Sequence, residues 1–184
     1  NPTAVVTAES KEAFIEPATK NVFELTQRKN KIQNTLNKLN KTCGLDVADL
    51  QEKLNAIDLV EAEANAKLDE AEKQLNSISD RLNALRGKCA TLGSDKDYIV
   101  ANWETVVSIL DSSDASLRND FGTLKLQRVT EGNLETLAED YKKIAGRVKA
   151  ILDNSNATSK LNNDISKFIE DNKDTEWFDA TFYE

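Results

Sequence analysis

Apolar residues recur along this chain in alternating steps of four and three. From Val47 they fall at Leu50, Leu54 and Ile57 and, after a gap at Glu61, at Ala64, Leu68, Ala71, Leu75, Ile78, Leu82 and Leu85. That spacing keeps every member on one face of a helix. It predicts one long helix opened by Asp46, an N-capping residue, and closed near Arg86 by Gly87. Glu61 stands where the rhythm asks for an apolar residue. Val60 can take the inward place, giving Ile57, Val60, Ala64 and Leu68, a local eleven-residue rhythm; a buried functional carboxylate is the costlier alternative.

The same rhythm appears on either side. Residues 1–9 lack periodicity and read as a loose arm, with a kink or restart at Pro17. A helix follows, carrying Val22, Leu25, Ile32, Leu36, Leu39 and Cys43, and Gly44 is placed to end it in a left-handed turn. A loop is expected over 88–95, with Ser94 capping a third helix that carries Ile99, Trp103, Val106 and Leu110. Asp111-Ser112-Ser113-Asp114 predicts a break. Leu134, Leu137, Tyr141, Ile144, Val148 and Ile151 mark a further helix. A loop at 153–156, a short last helix over 161–168 and an acidic aromatic tail complete the pattern. No stretch alternates as a strand does. The fold class is therefore all-α: an elongated, mostly antiparallel helical bundle with coiled-coil-like packing. Its divisions are a flexible arm (1–9), a bundle domain (10–172) and a tail (173–184).

Composition agrees with narrow helix-on-helix seams. Of 184 residues, 39% are hydrophobic but only 6% aromatic, and there are six Gly and two Pro. The net charge of −8 disfavours nucleic acid, which selects a cationic footprint. No run reaches the roughly 18–20 apolar residues of a membrane span. The charge is unevenly placed. Lys20, Arg28, Lys29, Lys31, Lys38 and Lys41 crowd the first helix against a single acid, Glu24, whereas acids dominate from Asp46 to Glu72. Two accounts fit: neighbouring helices attracting one another, or a basic strip offered to an anionic partner.

The chemistry points away from catalysis. There is no His, the commonest general base and metal ligand. Two cysteines make no ordinary zinc site, and no phosphate loop or nucleophile motif is present. Adjacent acids such as Asp69-Glu70 and Glu139-Asp140 belong to a solvated helix face. No enzyme activity, cofactor or metal is expected.

Three features suggest export. The chain lacks Met, so Asn1 is expected to follow a cleaved signal peptide or a boundary. Asn40-Lys41-Thr42 and Asn156-Ala157-Thr158 are N-glycosylation candidates. The cysteine count is even, which in an exported protein favours a disulfide between Cys43 and Cys89. A straight helix over 46–86 would hold those cysteines about 60 Å apart, and a disulfide needs Cα atoms within about 7 Å. Three outcomes stay open: a fold-back between about 60 and 68, a bond linking two chains, or free thiols.

The expected function is that of a secreted, non-enzymatic glycoprotein that binds a macromolecular partner, most naturally a protein. The general look resembles small helical proteins that parasites and blood-feeding arthropods export to act on a host, a resemblance of class and compartment. Trp177, Phe178, Phe182 and Tyr183, in an acidic setting, are candidate partner anchors. One alternative is a carrier holding a lipid or other small apolar ligand near Phe14, Phe23, Trp103, Phe121 and Tyr141. Another is an intracellular coiled-coil scaffold.

Overall fold

The computed structural model describes residues 2–59 and 65–175, with side chains placed for 22–59, 67–112 and 114–175. Every regular element among them is helical: α1 (Pro2–Cys43), α2 (Ala48–Asn55), α3 (Asn65–Ile109), α4 (Ser116–Leu124) and α5 (Leu134–Asn172), with a 3₁₀ turn at Ser112–Asp114. The chain is an all-α protein with the packing of a helical bundle. Two compact units divide it. The first holds residues 1–94 and 127–139, and the second holds 95–126 and 140–184.

In the first unit the heptad stripe is the core. Leu50, Leu54, Ile57, Leu68, Ala71, Leu75, Ile78, Leu82 and Leu85 are all buried, facing Leu25, Ile32, Leu36 and Leu39 of α1. Each fully buried Leu or Ile contributes about 1.5–3 kcal/mol relative to exposure. Val60, Glu61 and Ala64, where the phase slip was expected, lie outside the described residues.

The stripe is not one helix, however. The helix expected from Asp46 to Arg86 is interrupted after Asn55, and α3 begins at Asn65. Two reversals follow. The α2 helix runs antiparallel to α1, since Gln33 bonds Gln51 and Lys29 Nζ donates to Ile57 O at 2.6 Å. It also runs antiparallel to α3, where Arg81 meets Asp49. With two reversals, α1 and α3 run parallel: Arg28 reaches Asn76 at one level, and Thr42 touches Gly93 at a later one.

That course resolves the cysteine conflict. Cys43 and Cys89 are bonded within one chain, with Cα atoms 5.4 Å apart. The two arms of the fold-back hold unequal numbers of residues. Ile57 already lies level with Lys29, about 21 Å down α1 from Cys43 at helical rise, while the climb from Asn65 to Cys89 covers about 36 Å. The roughly 15 Å difference is within reach of the eight residue steps from Ile57 to Asn65, since a chain can span up to about 3.3 Å per residue.

Helix ends account for the other departures. The backbone is helical from Pro2, so the stretch read as a loose arm, and the break at Pro17, fall inside α1. Proline near position one suits a first helical turn, and a single lost bond at Pro17 is carried by the turns on either side. Gly44 does cap α1, at φ 71°, with its N–H on Asn40 O at 2.9 Å. Asp46 stands one residue before the N-cap position, which Val47 occupies, and its Oδ1 accepts from Ala48 N–H at 3.0 Å. Gly87 and Gly93 stop nothing; α3 passes through both. The four–three rhythm continues from Leu85 to Cys89 and Leu92, both fully buried, and that packing outweighs the roughly 1 kcal/mol cost of a helical glycine. At 133, a soft point, Thr130 and Asn133 exchange side-chain bonds with each other's backbone N–H, which starts α5.

The second unit packs Ile99, Val106, Leu117, Phe121, Tyr141, Ile144 and Val148 into a core. Trp103 leans on Phe121 with ring centroids 4.7 Å apart. Arg147 ties α5 to α4 through Asp120 at 2.7 Å and Ser116 Oγ at 2.9 Å. The expected break at 111–114 is present. The expected loop at 153–156 is not, because α5 continues to Asn172.

Candidate functional site

Three members of the basic strip, Arg28, Lys31 and Lys38, line a trough between α1 and α3 in the first unit, while Lys29 turns to Ile57 O and Lys41 lines neither cleft. Two open clefts, of about 430 and 210 Å³, share Lys31, Thr35 and Arg86 and so form one channel. Lys31, Asn34, Lys38 and Thr42 edge it from α1, and Arg28 extends it toward the N-terminal side. From α3 come Ser79, Asn83, Arg86, Gly87 and Ala90. Arg28 to Thr42 spans fourteen residues, about 21 Å of helix. The floor is closed: Ile32, Leu39 and Leu82 are 5%, 5% and 2% exposed. Small residues on the α3 side, Ser79, Gly87 and Ala90, keep the trough open. A Cβ on Gly87 would meet nothing within 4 Å.

The electrostatics single this surface out. No carboxylate lines either cleft, and among the described residues Arg28, Lys31, Lys38 and Arg86 have no acid within 4 Å. The Arg28 guanidinium is held instead by the neutral Asn76 amide. Elsewhere in the same unit some cations pair with acids, although among the described residues Lys41, Lys67 and Lys73 form no ion pair either, so what sets the trough apart is that its cations converge on one cleft. Arg81 grips Glu131 at 2.6 Å and Asp49 at 3.1 Å, Lys88 meets Glu135 at 2.7 Å, and Arg128 pairs with Asp46. Those contacts leave marks on the acids. Hydrogen bonding from Arg81, helped by Lys53, holds the Asp49 carboxyl below the ordinary carboxylate range, and Lys88 does the same for Glu135. Among the described residues the strip thus makes no ion pair with Asp46 or Asp49 at the head of the acidic run; those two carboxylates are committed to Arg128, Arg81 and Lys53.

The other candidates are dispersed. Asn40 is exposed in the last turn of α1, and its Nδ2 donates to Leu45 O at 3.0 Å. Asn156 is exposed on α5. Trp177, Phe178, Phe182 and Tyr183 lie outside the described residues. Of the residues proposed for an apolar carrier site, Trp103, Phe121 and Tyr141 belong to the second unit, where Phe121 and Tyr141 are buried. Phe23 is 61% exposed in the first unit, and the Phe14 side chain is outside the described set. Trp103 and Phe121 fill the space against each other, with Lys125 Nζ 5.7 Å from the Phe121 ring. Among the described residues no three His, Cys, Asp or Glu side chains come together to hold a metal ion, and no helix is long and apolar enough to cross a membrane.

Arg86 is the trough residue that sequence reasoning missed. It lies 45 residues beyond the basic strip, and only the parallel pairing of α1 and α3 brings it opposite Lys31 and Lys38. No family model, curated protein or solved structure matches the chain.

Proposed function

We propose that this protein acts by binding, not by catalysis: an exported helical-bundle protein whose α1–α3 trough receives an anionic macromolecular partner. The observation that supports this reading is the uncompensated cluster of Arg28, Lys31, Lys38 and Arg86 on a chain of net charge −8. Like charges held side by side repel, and a cleft focuses their field on an incoming anion. Arg81, Lys88 and Arg128 of the same unit pair with acids, and other lysines such as Lys41 and Lys73 stand apart on the surface; the four trough cations converge on one cleft with no carboxylate in its lining. Leaving one channel unpaired suits a surface that a partner completes.

The test is retention on immobilised polyanions, dextran sulfate and polyglutamate. The chain should be retained by at least one of them. Reversing Lys31, Lys38 and Arg86 to Glu should abolish retention. Making the same change at Lys142, Lys143 and Lys149, exposed on α5, should leave it nearly intact. Equal losses would mean that overall charge, not the trough, governs binding, and the reading would fall.

A further inference from the structure

We infer that the anion this trough takes is a linear sulfated polysaccharide. The inference rests on the reading of the trough as a binding surface and narrows the class of partner.

The floor decides first. An amphipathic helix binds a groove by sinking apolar anchors into it. Here Ile32, Leu39 and Leu82 are already sealed from solvent, so an incoming Leu or Phe would cover little apolar surface. Affinity must come from charge and hydrogen bonds. The rims supply both. Lys31 and Lys38 stand seven residues apart on α1, about 10 Å along the axis, and Arg86 faces them from α3. Asn34 and Thr42 lie among them as uncharged donors, while the Thr35 hydroxyl already donates to Lys31 O at 2.9 Å.

A tetrahedral oxyanion matches that mixture better than a carboxylate. Its three free oxygens accept from an ammonium or guanidinium and from a neighbouring amide or hydroxyl together, and Arg engages two of them side by side. The channel is open along about 21 Å, so the ligand is a chain that lies in it rather than a single ion enclosed by it. Nucleic acid offers the same oxyanions, but single strands are held by stacking bases on aromatic rings, and no aromatic residue lines the trough. A sulfated sugar chain presents its anions without bases that need such a platform.

The experiment is calorimetric titration of the full-length protein with a heparin-derived oligosaccharide. Hyaluronan oligosaccharide (carboxylates only), polyglutamate and a single-stranded oligonucleotide serve as comparison ligands. The sulfated chain should bind at least about tenfold more tightly than each of these. Its affinity should fall about tenfold or more between roughly 50 and 200 mM salt, as release of counterions from three or four contacts requires. Replacing Lys31, Lys38 and Arg86 by Gln, a milder change than reversal, should remove binding, while Gln at Lys142, Lys143 and Lys149 should not. Circular dichroism of each variant confirms that it is folded. Polyglutamate or hyaluronan binding as tightly as the sulfated chain would overturn the sulfate assignment and leave the anionic trough standing. Tighter binding of the oligonucleotide would overturn it in favour of nucleic acid. No binding by any of the four, or binding indifferent to the trough substitutions, would overturn both.

Discussion

Gly93 lies against the carbonyl of Thr42 so closely that a Cβ at position 93 would sit 2.5 Å from that oxygen. Thr42 adjoins Cys43, and Gly93 lies one turn beyond Cys89. The glycine therefore lets the end of α1 close onto α3 where the disulfide joins them.

Substitution of Gly93 by Ala should destabilise the protein. The obstructing atom is backbone, which cannot rotate away, and overpacking costs about 1–3 kcal/mol. Gly146, also helical, has nothing within 4 Å of its would-be Cβ. Gly146→Ala should instead stabilise by about 0.5–1 kcal/mol through helix propensity. Urea denaturation of the two variants measures both. A gain in stability from Gly93→Ala would mean that the helices do not approach as described.

The Cys43–Cys89 bond closes a long loop, with 46 residues of sequence separation. The chain-entropy relation puts its contribution at about 4 kcal/mol, with about 2–4 typical. Reduction should shift the denaturation midpoint accordingly. Under non-reducing conditions the protein should run as a compact monomer with no alkylatable thiol. A reducible dimer would contradict the intrachain pairing.

Arg81 joins three segments, bonding Glu131 through two nitrogens and Asp49 through one. Arg81→Ala should cost about 1 kcal/mol, as expected for a partly exposed bidentate pair. The acid side carries a pH signature. Asp49 and Glu135 have carboxyls held below their ordinary values, by Arg81 and by Lys88. A group depressed in the folded state stabilises it above its unfolded pKa and loses that contribution as pH falls through the folded value. Stability should therefore decline from about pH 4 downward, and less steeply in Arg81→Ala than in the parent. Parallel acid titrations of the two proteins would show it; identical slopes would remove Arg81 from the account.

The sequence made some of these features legible and hid others, for physical reasons. Leu50 to Leu85 read correctly as core because burial is written in the four–three rhythm, and Gly44 because a left-handed cap favours glycine. The interruption after Asn55 was announced only by the cysteines, which admitted a fold-back between about 60 and 68: the stripe keeps its phase across the gap, and no Gly or Pro marks it. Gly87, read as a helix stop, and Gly93, inside the loop expected over 88–95, misled in the other direction. Glycine signals a turn and a close approach alike, and only the neighbour, Thr42 for Gly93 and the open trough for Gly87, tells them apart. The basic strip on α1 could be read along the chain, but its pairing with Arg86 depends on α1 and α3 running parallel. That follows from two reversals, one of which no local pattern announced.

The most direct test of the trough is residue-resolved NMR during titration with a heparin-derived oligosaccharide. Amide shifts should change along 28–42 of α1 and 79–90 of α3, saturate together, and reverse on adding salt. Shifts confined to α4 and α5, or none at concentrations where an unrelated basic protein responds, would contradict the account.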